Sequence, residues 1–280
     1  MKKSILFLST ILGLATYAQH SCCKQAIGDK MSTFASTADF KTAHESPEEY
    51  THTNALGKMI EFKTADSQNG KAYYIPAKAK SNKVLFVFHE WWGLNDHIKK
   101  EADDLYASLG ENVAIYAFDL YDGAVATTPD DAGKLMTNLK PERALNIIKG
   151  GIAQLAPKAE IATIGWCMGG SYSFQAAVEC GTQVKACVMY YGFPETNEAR
   201  LKALQTDIFY IQALQDAFIT QETVSTFEKS LQENHKKITI KAYDAVHAFA
   251  NPSNPKHNSQ FTKEAYALSL AYLKKGFKIK

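Results

Sequence analysis

Eight short apolar segments recur along the chain, and they constrain the fold more than any other sequence feature. Five of them are nearly continuous runs of Val, Ile, Phe and Tyr, which is typical of strands buried on both faces of a parallel sheet. The segments are 59–62, 72–75, 84–88, 113–118, 161–164, 184–191, 208–214 and 238–243. We therefore predict a central sheet that is mostly parallel, preceded by two hairpin-like strands.

Amphipathic stretches separate the later strands. Over 96–109 the apolar residues recur at steps of four, three and four, and Gly110 follows as a stop signal. A second stretch, 141–156, opens with Pro141, which suits a first helical position. Apolar residues in 224–231 and 265–272 mark two more helices. The alternation predicts an α/β fold with helices on both faces of the sheet, formed by one domain over residues 56–280.

The N-terminal residues have the pattern of a secretory signal. Lys2 and Lys3 precede a short apolar run, and Ala18 ends a stretch of small residues suited to signal peptidase. The run is too short to span a membrane, which needs about 20 apolar residues. We expect residues 1–18 to be cleaved after Ala18, leaving a secreted or periplasmic protein. A membrane anchor is the alternative that this short run disfavours.

Residues 19–55 are polar with little periodicity, which predicts a flexible leader with at most one short helix. Cys22 and Cys23 lie in this segment and could form disulfides in an oxidising compartment. A lipoprotein is a further alternative, although the residues before Cys22 do not form a lipobox. Cys180 and Cys187 are predicted to be buried thiols, at a helix end and in a strand.

The charge balance excludes some partners. The chain has 31 Lys+Arg and 29 Asp+Glu, so its net charge is +2, and loss of Lys2 and Lys3 would bring it to 0. Without a basic excess we expect no nucleic-acid partner. No second apolar run of spanning length follows the first, so we expect no membrane contact after cleavage. Arg143 and Arg200 are the only arginines, so a bidentate carboxylate clamp would have to use one of them.

The strongest chemical signal is the sequence Gly-Trp-Cys-Met-Gly at 165–169, which follows the strand 161–164 and opens a helix. This is the nucleophile-elbow pattern of α/β hydrolases with Cys167 in place of serine. The flanking glycines are needed because side chains there would clash with the sharp turn. The following helix would favour a thiolate, and the Met168 N–H would face a developing oxyanion. A glycine-rich turn with an incidental cysteine, or a phosphate loop with unusual spacing, are the alternatives.

Asp216 and His247 are the predicted partners of Cys167. A thiol nucleophile needs a base, the base needs an orienting carboxylate, and in this fold both follow the nucleophile on loops after later strands. Asp216 follows the strand 208–214, and His247 follows 238–243. Asp244 is a rival for the acid, but it is too close to His247 in sequence to face it easily.

The loop 89–93, His-Glu-Trp-Trp-Gly, follows the strand 84–88. It begins like a zinc-binding His-Glu-x-x-His, but Gly93 stands in place of the second histidine, so no metal and no cofactor are expected. The Trp91 N–H is the candidate second oxyanion donor. Glu90 is a carboxylate at the mouth of the same site, or else a surface acid. In a pocket lined by Trp91 and Trp92 it would be poorly solvated, which predicts a neutral resting thiol on Cys167.

Taken in order, these motifs resemble the dienelactone hydrolase family, the cysteine branch of the α/β hydrolases. The segments that carry the resemblance are 89–93, 165–170, Gln215-Asp216 and Val246-His247-Ala248-Phe249, with 119–121 and 190–192 in support. The resemblance covers about residues 58–275. It implies an α/β-hydrolase fold and hydrolysis of a small ester or lactone through a thioester acyl-enzyme.

The resemblance also implies roles for individual residues. It implies a triad of Cys167, Asp216 and His247, in which Glu90 holds or takes the thiol proton. The oxyanion donors would be the N–H groups of Met168 and Trp91, and the candidate substrate contacts are Trp91, Trp92, Tyr121 and Phe249.

Two departures from the family bear on the substrate. Val246 replaces the usual glycine, and the stretch 249–252 lacks the arginine with which dienelactone-cleaving members are thought to hold the substrate carboxylate. Lys256 could act there as a point charge. A peptidase, and a non-catalytic binding or thiol redox protein, are the alternative functions. The first would need a lid or extra domain, and the second would favour a Cys-x-x-Cys pair that is absent.

Overall fold

The structure is a computed structural model, and it describes residues 27–280. The predicted signal segment, residues 1–18, and the cysteines Cys22 and Cys23 lie outside the described residues. The strands are β1 Lys58–Lys63, β2 Asn69–Ile75, β3 Lys83–Phe88, β4 Ala114–Asp119, β5 Glu160–Trp166, β6 Val184–Tyr190, β7 Ile208–Ala213 and β8 Ile238–Tyr243. The helices are α1 Ile27–Ala35, α2 Ala38–Ala43, α3 Asp96–Ser108, α4 Pro129–Asn138, α5 Pro141–Ala153, α6 Met168–Glu179, α7 Glu198–Ala203, α8 Gln221–Glu233 and α9 Ser259–Phe277.

The strands form one sheet in the order β1-β2-β4-β3-β5-β6-β7-β8. β1 pairs with β2, and β2 with β4, in antiparallel fashion, whereas every pair from β4 through β8 is parallel. The predicted mostly parallel sheet is therefore confirmed. Since parallel strands share one direction, the carboxyl ends of β3, β5, β7 and β8 meet at the same edge, where α/β proteins bind their ligands.

Both faces of the central sheet are covered. Successive residues of a strand point to opposite faces, and β5 and β7 are buried at nearly every position. Two groups of helices provide the cover: α5 contacts α6, while α9 contacts α3 through the hydrogen bond from the Tyr266 hydroxyl to Ser108 Oγ. The predicted α/β-hydrolase fold with helices on both faces is confirmed.

The sequence prediction missed α4 and α7. The α4 segment contains Gly133 and two aspartates in its first turn, so its apolar pattern is weak, although Thr128 caps its N-terminus. The α7 segment has only six residues, which is too short for a clear helical period.

The expectation of at most one short helix in residues 19–55 is wrong, whereas the flexibility of this leader stays a prediction. The segment contains both α1 and α2, and Met31, Ala35 and Phe40 are buried in the core. Further along, the His52 ring and the Leu56 N–H both contact the Asp103 carboxylate, so this stretch is also tied to the domain. These apolar residues are few, and they contact residues that are distant in sequence. The local composition of the segment therefore does not reveal that they are buried. No described helix has the length and apolar character needed to cross a membrane.

Candidate active site

Cys167 occupies a sharp turn between β5 and α6. Its backbone has φ 54° and ψ −121°, a conformation that residues other than glycine rarely adopt. A Cβ atom on Gly165 would lie 2.1 Å from the carbonyl oxygen of Gly169, and one on Gly169 would lie 2.2 Å from that of Phe88. Glycine is therefore required at both positions. The turn places Cys167 directly before the first helical residue, Met168, whose N–H has no carbonyl acceptor in a preceding turn.

His247 and Asp216 form a buried pair at the carboxyl ends of β8 and β7. His247 Nδ1 donates a hydrogen bond to Asp216 Oδ2 at 2.6 Å. The other carboxylate oxygen accepts from the N–H groups of Phe218 and Ile219, both at 2.9 Å, which fixes its orientation. Asp244 is exposed and accepts a hydrogen bond from Gln215 instead. The structure therefore brings Asp216, and not its rival, to His247.

The pKa values of the pair shift in opposite directions. Burial by itself would lower the pKa of His247, but the Asp216 carboxylate and the Cys167 sulfur raise it well above its usual value. Burial opposes ionisation of Asp216 too, yet His247 and the two backbone N–H groups hold the pKa of this carboxyl below its usual value. The arrangement thus suits His247 to hold a proton taken from the sulfur.

Glu90 lies in the loop after β3, and its side chain is buried. Its Oε2 accepts a hydrogen bond from Asn251 Nδ2, whereas Oε1 has no partner among the described residues. Burial raises the pKa of Glu90 to about 7, although the charge of His247 and contacts with Tyr191 and Asn251 oppose the shift. The poor solvation expected for Glu90 is therefore present, and the carboxyl can exchange a proton near neutral pH. The neutral state of the resting Cys167 thiol stays a prediction.

Replacement of Glu90 by glutamine should stabilise the protein at alkaline pH. The folded pKa of about 7 exceeds the ordinary 4.5, so the folded state binds the proton more tightly than the unfolded state. The free energy of unfolding is then greatest at pH values below the ordinary pKa of 4.5, and it falls as the pH rises through 7. At about 1.4 kcal/mol per pKa unit, the ionised carboxylate costs about 3 kcal/mol at pH 8. We expect Glu90→Gln to raise the free energy of unfolding by about 1–3 kcal/mol at pH 8, and to make little difference near pH 4.

Urea unfolding of the two proteins at both pH values measures this effect. The exposed Glu45 lies at the same site, so Glu45→Gln is the matched control, and its stability should change by less than about 0.5 kcal/mol. Lower stability of Glu90→Gln at pH 8 would contradict the prediction and would indicate that Glu90 shapes its loop.

His44, a residue of the polar segment 19–55, lies beside His247. It follows α2, and its ring centroid is 5.1 Å from that of His247 and 4.7 Å from that of Trp91. Its Nδ1 is 2.7 Å from the carbonyl oxygen of Phe40, so this nitrogen carries the hydrogen. Burial, followed by the charge of His247, lowers the pKa of His44 to about 3. His44 therefore stays neutral, and its Nε2 lone pair has no hydrogen-bond partner in residues 27–280.

Two cavities adjoin this edge of the sheet. The smaller has a volume of about 10 Å³, room for about one water molecule, and is lined by Cys167, His44, Glu90, Trp91 and Trp92 among others. The larger has a volume of about 320 Å³, and its lining includes Trp166 and the carboxyl groups of Glu48, Glu90, Glu101 and Asp104. Glu90 and Asn251 border both cavities, so they separate the sulfur from the larger space.

The predicted substrate contacts fall into different surroundings. Trp91 and Trp92 line the small cavity. The Tyr121 hydroxyl donates to Met168 Sδ at 3.2 Å, close to the elbow. Phe249 is fully buried, and its ring packs against Tyr191, Tyr243 and Phe261. Asn251, which holds Glu90, was not singled out from the sequence.

Neither arginine is placed to hold a substrate carboxylate at these cavities. Arg143 pairs with Asp66 at 2.9 Å and with Asp122 at 2.5 Å. Arg200 pairs with Glu179 at 2.9 Å and with Glu195 at 3.7 Å. Both guanidinium groups are thus neutralised by the protein's own carboxylates. Lys100 borders the larger cavity but pairs with Asp104 at 2.5 Å. The exposed Lys256 acts electrostatically on His44 and stays a candidate for a point charge.

The mostly parallel sheet, with an elbow turn where β5 meets α6, defines the α/β-hydrolase class. Within that class the chain belongs to the dienelactone hydrolase family, whose model matches residues 71–277. The chain is therefore a hydrolase of the ester and lactone class.

Two relatives and one solved structure illustrate the similarity. Protein usf of Aquifex pyrophilus is 30% identical over 234 residues, which cover 78% of this chain and 98% of the relative. Carboxymethylenebutenolidase of a Pseudomonas species is 32% identical over 116 residues, covering 41% of this chain and 48% of that protein. A dienelactone hydrolase-like promiscuous phosphotriesterase from metagenomic libraries has 20% identity and a TM-score of 0.64, covering 79% of this chain and 98% of its own. This last likeness concerns the fold alone.

Proposed function

We propose that the protein cleaves a small, uncharged ester or lactone with Cys167 as nucleophile, His247 as general base and Asp216 as the group that orients His247. The observation that carries the proposal is the convergence at one sheet edge. A ring nitrogen of His247 lies within 4.8 Å of the Cys167 sulfur, and Nδ1 of this ring is bonded to Asp216. This is the order of groups that an activated nucleophile requires.

The reaction proceeds in two halves. The Cys167 sulfur attacks the carbonyl carbon while its proton passes to His247, and the oxyanion accepts hydrogen bonds from the N–H groups of Met168 and Trp91. Collapse of this intermediate breaks the bond to the alcohol oxygen, which takes the proton from His247, and leaves a thioester. Water then attacks the thioester with His247 as base, and the acid and the free thiol are released.

Glu90 gives the thiol proton a second acceptor. Glu90 and Cys167 both line the small cavity. With a pKa of about 7, the Glu90 carboxyl can change between its protonated and ionised forms near neutral pH. An ionised Glu90 can take the proton when the substrate approaches the sulfur. Asn251 then holds the carboxyl group in place through its side-chain amide.

The charges around the cavities indicate an uncharged substrate. Both arginines are engaged with other carboxylates. The larger cavity is lined by four acidic residues and by Lys100, which pairs with Asp104. A substrate that carries its own carboxylate would meet repulsion there without a bidentate partner. We therefore propose that a carboxylated dienelactone is not the preferred substrate. The N-terminal signal pattern of residues 1–18 further supports action outside the cytoplasm.

A thiol redox role has less support. Cys167, Cys180 and Cys187 are all free thiols, and none of them is paired with another in the described part of the chain. Cys180 and Cys187 are buried beside α6 and within β6.

Turnover of a p-nitrophenyl acetate-like ester, before and after alkylation with iodoacetamide, tests the proposed function. We expect activity to fall in proportion to the fraction of Cys167 that mass spectrometry finds alkylated. The parallel measurement with Cys180→Ala separates this loss from labelling of Cys180. Undiminished turnover by fully alkylated Cys167 would overturn the proposal.

A further inference from the structure

Three metal-binding atoms converge at a place where two separate parts of the chain meet. The Cys167 sulfur and one ring nitrogen each from His44 and His247 all lie within 4.8 Å of one another. Cys167 and His247 belong to the sheet edge, whereas His44 follows α2, well before residue 71, where the family match begins. His44 is therefore a donor that the matched family region does not supply.

Both imidazoles are held in the orientation that metal ligands use. His44 Nδ1 donates to the Phe40 carbonyl at 2.7 Å, and His247 Nδ1 donates to Asp216 at 2.6 Å. A ligating histidine characteristically donates its other ring N–H to a backbone carbonyl or a carboxylate, which fixes its tautomer. Both Nε2 atoms are buried. Within residues 27–280 the Nε2 of His44 has no hydrogen-bond partner, and the Nε2 of His247 has none apart from the neighbouring Cys167 sulfur. Such unpaired buried groups are costly, and a bound ion would satisfy both.

The donor set suits a thiophilic ion. One thiolate and two imidazoles are ligands of Zn²⁺, which takes three protein ligands and leaves a fourth position for water at open sites. Tetrahedral Zn²⁺ keeps its ligand atoms about 3.5 Å apart, so each side chain needs to move by about 1 Å or less. The adjoining cavity of about 10 Å³ has room for about one water molecule.

We propose that His44, Cys167 and His247 form a binding site for Zn²⁺ that fastens the end of α2 over the sulfur. Binding replaces the thiol proton by a sulfur–zinc bond and releases that proton to solvent. The ion then occupies the Cys167 sulfur and the His247 Nε2 lone pair that would take the thiol proton, so ester cleavage stops. The inhibition rests on the proposed function, whereas the binding does not.

Titration with Co²⁺, which reports on Zn²⁺ sites, tests the binding without any enzymatic assay. We expect one ion per full-length chain and a near-ultraviolet band from thiolate-to-cobalt charge transfer. The band should disappear in Cys167→Ala. Competition with a chelator should show that His44→Ala weakens Zn²⁺ binding by about a hundredfold or more, since loss of outer-sphere partners alone costs 10–100-fold. His235→Asn, which replaces an exposed histidine remote from these ligands, should bind Zn²⁺ like the parent.

His44→Gln keeps a donor for the Phe40 carbonyl, and it should weaken binding as much as His44→Ala, which excludes local unfolding as the cause. Equal affinity in these variants and the parent would overturn the proposal, because the ion would then be held by Cys167 and His247 alone. Absence of the charge-transfer band in the parent would overturn it as well. If the band appears in a protein that cleaves no ester, the proposed function fails while the metal site stands.

Discussion

Cys167→Ala should lower ester turnover by about 10⁴-fold or more, because it removes the atom that forms the thioester. The fold should be kept. Alanine retains the Cβ atom, so it has the same backbone strain at φ 54° as the cysteine it replaces. Steady-state kinetics with a p-nitrophenyl ester, together with the thermal midpoint of each protein, measure both expectations.

Cys167→Ser and Cys180→Ala extend this test. A serine hydroxyl is far less ionised than a thiol near neutral pH, so Cys167→Ser should keep only weak turnover. Cys180 is equally buried but lies at the other end of α6, and its alanine variant should keep turnover within about twofold of the parent. Full activity of Cys167→Ala would remove Cys167 from the role of nucleophile.

The sheet and the elbow could be predicted from the sequence because their signals are local. All eight strand segments were located, since strands buried on both faces need continuous apolar runs. The elbow was located for a similar reason. Glycine is required at 165 and 169 because backbone atoms come close to these positions. Both glycines lie within two residues of Cys167, so a short stretch of sequence is enough to recognise the turn.

The position of His44 could not be predicted in this way. Its neighbours are Trp91, Phe218 and His247, which lie between about 50 and 200 residues away in sequence. One signal was present, because Thr37 caps α2 by accepting from the Phe40 N–H. That signal indicates a helix but says nothing about where the helix packs. Asn251 was missed for the same reason, since its role depends on a carboxyl group 161 residues away.

Asp216→Asn should lower turnover by about 10³- to 10⁴-fold while leaving binding of the ester nearly unchanged. The asparagine oxygen can still accept from the N–H groups of Phe218 and Ile219, which fixes the amide in the position of the carboxylate. Its NH₂ group then faces His247 Nδ1, which must give up its hydrogen and become the acceptor. The hydrogen moves to Nε2, so the nitrogen that faces Cys167 can no longer take the thiol proton.

The same substitution should change the pH dependence of the reaction. The charge of Asp216 raises the pKa of His247, and its loss leaves burial, which lowers that pKa. The acidic limb of the pH profile, along which turnover rises as His247 loses its proton, should therefore move to lower pH in the variant. Asp244→Asn is the matched control, because Asp244 is exposed and bonds only to Gln215 among the described side chains. A larger loss of turnover in Asp244→Asn than in Asp216→Asn would contradict the assignment of Asp216. An exposed carboxylate could affect turnover more than Asp216 only if it were the group that orients His247.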